Sequence, residues 1–227
     1  MTDPHMLKSF DDALSELSKG FDRMGTLVGD NCDMAARAYL QGDARLALEV
    51  VNRDLDIDAA FEAIRADCFD ILLRFQPVAG DLRLVVGIEH AVGDLERAGD
   101  HAKNMARRVI SSPSKSLSEQ GALRFAELTD TVVQSLRLAV GAMVHRDSED
   151  AKRVIALDSQ IDARNDAIFD SVMVDLKKSA KNAPRLVQQL FISKALERIG
   201  DHATNLAEEV LFLTRGVPPG ATRTGRN

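Results

Sequence analysis

Four pairs of acidic residues stand four positions apart in this chain: Asp54 and Asp58, Glu96 and Asp100, Asp158 and Asp162, Glu197 and Asp201. On a helix that spacing stacks two side chains on one face, so each pair presents two carboxylates in one direction. Carboxylates brought close repel and perturb one another's pKa values, and a cation relieves the strain. An all-oxygen donor set suits magnesium, manganese, calcium or iron better than it suits the thiolate and imidazole sites of structural zinc. Asn104 and Asn205, each four residues beyond the last carboxylate, would add an oxygen ligand or a supporting hydrogen bond. His101 and His202 directly follow the last acid, which turns them about 100° around a helix; they are expected to bond between helices rather than to ligate. His90 and His145 read as ordinary surface residues. Against all this stands the plain alternative that an acidic pair on a long helix is a solvated face, with Arg53, Arg97, Arg164 and Arg198 as ion-pair partners.

The elements that must position these pairs are helices. Ala, Leu, Asp, Glu and Arg dominate, aromatics are 4 % and Trp is absent, a composition that favours helix over strand. Breakers at Gly42-Asp43, Gln76-Pro77, Ser111 to Ser116, Arg146-Asp147 and Lys181 to Pro184 divide the chain into six long segments. The third carries an apolar stripe, Leu82, Val85, Val86, Ile88, Val92, Leu95, Met105, Ala106 and Val109, at helical period. Met24, Met34, Met105, Met143 and Met173 read as core filler. Short connections imply antiparallel neighbours and hence an all-α bundle. Folded at Pro77, Asp54 and Asp58 meet Glu96 and Asp100 at one height; folded near Asn182, Asp158 and Asp162 approach Glu197 and Asp201.

The chain also repeats itself. Residues 95–109, LERAGDHAKNMARRV, and residues 196–210, LERIGDHATNLAEEV, are identical at 10 of 15 positions without a gap. A weaker match pairs residues 43–58 with 147–162, sharing Asp43/Asp147, Val50/Val154, Asp54/Asp158, Ile57/Ile161 and Asp58/Asp162. Both belong to one duplicated three-helix unit, so the expected architecture is two tandem antiparallel three-helix bundles, residues 1–112 and 113–215, with a flexible tail at 216–227. Gly99 and Gly200, inside the repeated segment, suggest a close helix approach, since Gly within a helix costs roughly 1 kcal/mol relative to Ala.

Composition excludes several classes. A formal charge of −6 opposes nonspecific nucleic-acid binding, which needs cations to displace counterions from phosphates. Two cysteines, Cys32 and Cys68, without CxxC spacing, make neither a disulfide framework nor a zinc site. Neither an export signal nor a membrane span is expected, and a cytoplasmic location follows. No P-loop, nucleophile–base pair or Gly-rich nucleotide loop marks an enzyme.

The doubled LERxGDHAxN segment, Leu95 to Asn104 and Leu196 to Asn205, resembles the signature of the PhoU family of phosphate-uptake regulators, as does Gln76-Pro77-Val78-Ala79-Gly80-Asp81-Leu82-Arg83. The resemblance covers the chain from about Phe10 to Arg215. It implies two three-helix bundles, metal ions held on the E/DxxxD pairs (divalent or trivalent, among iron, manganese, magnesium and zinc), and often a homodimer. It further implies a negative regulator of the phosphate-starvation response. Such an adaptor links the ATPase subunit PstB of the phosphate ABC transporter to the sensor kinase PhoR and meets the membrane only through partners. The second repeat has Pro184-Arg185-Leu186 where the first has its Pro-x-Ala turn, so the two sites are not assumed equivalent. Two other readings compete: a carboxylate-bridged metalloenzyme on a helical bundle, which would need Glu-x-x-His ligands that the pairs lack, and a metal-free structural bundle.

Overall fold

The structure, a computed structural model, describes residues 4–112 and 117–216. Six helices account for nearly all of it: α1 (Pro4–Gln41), α2 (Ala44–Phe75), α3 (Ala79–Ser111), α4 (Glu119–His145), α5 (Ser148–Lys178) and α6 (Ala183–Arg215), with a 3₁₀ turn, Ala180–Asn182, before the last. No strand occurs among the described residues. The boundary expected at Pro113 and the tail beyond Gly216 lie outside them.

The helix ends follow from local chemistry. Asp43 caps α2, its carboxylate accepting from the backbone N–H of Arg45 and Leu46 at 2.9 and 3.0 Å; Asp147 caps α5 in the same way, accepting from Glu149 and Asp150. These two aspartates are repeat partners, so the weaker sequence match holds a shared helix start. Both carboxyls are held below the ordinary range, chiefly by those N–H groups. The chain reverses before each cap through a left-handed residue, Gly42 at φ 65° and Arg146 at φ 52°. Between α2 and α3, Gln76 and Ala79 flank the Pro77 turn at φ 47° and 48°.

Within each unit the three helices pack on one another, and the units join along α1–α4 and α3–α6. One continuous core results, containing Phe21, Met24, Tyr39, Ile88, Leu95, Met105, Leu128, Leu136, Met143 and Leu196. The expected α3 stripe is buried except at Leu82 and Val86. Those two lie about 200° around the helix from buried Leu84 and Ile88 at 3.6 residues per turn, on the solvent side. Met173 is likewise exposed on α5 rather than in the core, whereas Met24, Met105 and Met143 are fully buried. Cys32 and Cys68 are buried, and burial pushes both thiols up to about 12, which leaves them inert.

Candidate functional site

The antiparallel α2–α3 hairpin brings the first two acidic pairs to one height. Asp54 is buried at 3 % exposure, beside Ile57, whose branched side chain needs the bare face of Gly99: a Cβ there would stand 3.3 Å from Ile57 Cδ1. Asp58 is exposed, and Glu96 and Asp100 are half-buried. Burial, then the charges of Asp100 and Asp58, push the Glu96 carboxyl above its ordinary value. Burial raises Asp54 too, against the opposing pull of Lys103.

Lys103 is the residue that the sequence did not single out. Its Nζ donates to Asp54 Oδ2 and pairs with Asp100 Oδ1, both at 2.5 Å. Burial disfavours its charge, yet the hydrogen bonds to Asp100 and Asp54 outweigh this and hold its pKa above the ordinary lysine value. The first cluster therefore carries its own cation. The legible signal was its i, i+3 spacing from Asp100 and its replacement by Thr204 in the repeat.

In the second cluster Thr204 Oγ1 donates to Asp158 Oδ1 at 3.2 Å, Lys194 Nζ donates to Glu197 Oε1 at 2.6 Å, and Arg198 lies 3.5 Å from Asp201. Asp158, Asp162 and Asp201 are half-buried. Glu197 is buried at 7 % exposure, and its Oε2 has no hydrogen-bond partner. An unpaired buried carboxylate oxygen is costly. Gly200 admits Ile161 as Gly99 admits Ile57, with Cδ1 only 2.8 Å from where a Cβ would stand. Among the described residues no three His, Cys, Asp or Glu side chains converge closely enough to hold a metal ion. Neither donor set closes around an ion: Lys103 fills the first, while in the second Lys194 takes one Glu197 oxygen and the other is left orphaned.

The histidines bond between helices, as their phase implies. His101 and His202 stack across α3 and α6 with centroids 5.6 Å apart, and His202 Nδ1 lies 2.8 Å from Asp94 Oδ1. Asn205 Nδ2 donates to the same Asp94 oxygen at 2.9 Å, so it serves the helix pair, and Asn104 is exposed. Of the four arginines, Arg164 pairs with Glu127 and Arg198 with Asp201, while Arg53 donates to Met34 Sδ.

Comparison with known proteins places this arrangement. Residues 21–109 and 125–210 each match the PhoU domain. The phosphate-specific transport system accessory protein PhoU homolog of Rhizobium meliloti (strain 1021) is 30 % identical over 98 % of this chain and 94 % of that protein. The homolog of Xylella fastidiosa (strain 9a5c) is 34 % identical over 95 % and 92 %, and Escherichia coli (strain K12) PhoU is 26 % identical over 93 % and 88 %. The crystal structure of PhoU from Pseudomonas aeruginosa superposes with a TM-score of 0.85 at 31 % identity, covering 91 % of this chain and 99 % of that one. With its two matched repeats and near full-length relatives, this chain belongs to the PhoU family.

Proposed function

We propose that this protein is a cytoplasmic, non-catalytic adaptor of phosphate uptake. It binds a PstB-like transporter ATPase and a PhoR-like sensor kinase as a homodimer and holds down the starvation response when phosphate is plentiful. The observation that carries the reading is near full-length similarity to proteins named as accessory to the phosphate-specific transport system. A surface for partners supports it: Leu48, Leu55, Phe69 and Leu73 point outward from α2, Leu73 at 77 % exposure. An outward apolar row of this kind marks an interaction site. Divalent or trivalent metal, among iron, manganese, magnesium and zinc, belongs in this reading on the second cluster, where Asp158, Asp162, Glu197 and Asp201 would hold it and its charge would satisfy Glu197.

The test uses cells lacking their own copy of the protein. Wild type should restore repression of a starvation reporter in phosphate-rich medium and co-purify with both partners, and L55E/L73E should lose both properties. Failure of wild type to repress would overturn the adaptor reading; unaltered capture by L55E/L73E would overturn the α2 surface. Elemental analysis after desalting should find metal in wild type and little in E197Q/D201N, and equal metal in both would remove the second cluster from the reading.

A further inference from the structure

Duplication gave α3 and α6 the same central segment, and the two helices cross antiparallel. Gln188 of α6 meets Arg108 and Ser112 of α3, His101 meets His202, and Gly87 meets Leu213. The copies then diverged in charge. Arg107 and Arg108 in one repeat are Glu208 and Glu209 in the other, and Lys194 stands where the first repeat has Gly93. The two faces of the α3–α6 pair are therefore opposite in sign. The acidic face is satisfied internally: Asp94 accepts from His202 and Asn205, and Glu209 lies 3.7 Å from His90.

The basic face is not. It forms a groove of about 700 Å³ lined by Arg107, Arg108, Lys194 and Arg198, with His101 and Phe191 between them. That size lies within the range of small-molecule sites. The Arg108 guanidinium is fixed 3.8 Å over the Phe191 ring. Among the described residues neither Arg107 nor Arg108 pairs with an acid, whereas Lys194 and Arg198 share theirs with Glu197 and Asp201. Four basic side chains thus face two acids, in a protein whose net charge is −6. The backbone carbonyls of Arg108 and Ser112, which would repel an anion at the end of α3, are covered by Gln188 Nε2 at 3.2 and 3.1 Å.

We propose that this groove is a binding site for a small polyanion bearing phosphoryl groups. Arginine forks match phosphate oxygens bidentately. A phosphoryl group brings about −1.5 to −2 charges and three acceptors in a small space, which suits cations packed within three helical turns better than spaced carboxylates do. Asn104 and Ser111 supply neutral donors along the same wall. The site stands independently of the adaptor reading, because it uses neither the α2 surface nor the acidic pairs as ligands.

Isothermal titration of the full chain at low salt with pyrophosphate, ATP and inorganic phosphate tests it. Wild type should bind pyrophosphate or ATP with a Kd below about 1 mM, and R107E/R108E should bind at least about tenfold more weakly. R97E, which alters the repeat counterpart of Arg198, should bind like wild type. Circular dichroism checks that these exposed changes leave the helices intact. No binding of any of the three anions, or equal affinity in wild type and R107E/R108E, would overturn the proposal. Tighter binding of a poly-glutamate peptide, or binding only to vesicles of anionic phospholipid, would overturn the assignment to a soluble phosphoryl ligand.

Discussion

Lys103 stands between Asp54 and Asp100, with Asp58 and Glu96 alongside, and its partner in the repeat is Thr204. Its folded pKa is raised above 10.5, so its stabilisation is complete below that value and is lost as pH rises through the folded one. K103M leaves Asp54 buried without a counter-charge. Breaking a buried pair costs several kcal/mol, but the lysine is partly exposed, and a loss of about 1–2 kcal/mol at neutral pH is expected in urea melts. Asp54 is already raised by burial, so the deficit should shrink as pH falls through its raised value and it takes up a proton in variant and wild type alike. A deficit constant with pH would assign the effect to packing of the lysine stem. The acidic pairs at this site were legible because i, i+4 spacing is local. Their internal cation was not, since it reaches across from α3 to α2 and depends on depth in the fold.

At the scale of elements, the close approach that matters most between the halves is α1 on α4. A Cβ on Gly25 would stand 2.5 Å from Val140 Cγ2 and 3.1 Å from its Cβ, and valine is stiff about χ1. G25A should therefore destabilise by about 1–3 kcal/mol. Combined with V140A, which vacates that space, the loss should be smaller than the sum of the single changes, measured as a double-mutant cycle by chemical denaturation. Additive losses would mean that the glycine does not serve this contact. Helix breaks at Gly42, Pro77 and Asp147 were readable because caps and turns are decided by neighbouring residues. The outward positions of Leu82 and Val86 on α3 and of Met173 on α5 were not, because apolar character alone does not say which side of a helix of 33 or 31 residues meets a neighbour. Nor does one sequence say which helices join two repeats.

For the whole molecule, those junctions decide whether the repeats fold as two units or one. Tyr39 of α1 packs edge-on against Phe125 of α4, with centroids 5.1 Å apart. Asp30 pairs with Arg137 at 3.2 Å, and Gln188 covers the end of α3 from α6. Separating the halves would expose both sides of the α1–α4 and α3–α6 seams, so a single cooperative transition is expected in calorimetry, with equal calorimetric and van't Hoff enthalpies. Y39A removes a side chain that is 2 % exposed at the seam, at a cost of about 3–5 kcal/mol. At this chain length each kcal/mol lowers Tm by about 2–4 °C, so Tm should fall by about 10 °C while the transition stays single. Y39F should not lower it, because the Tyr39 hydroxyl is buried without a partner and its loss removes a desolvation cost. Two resolved transitions in Y39A would mean that the seam is a contact between independent folding units and that the duplicated bundles have kept their separate stabilities.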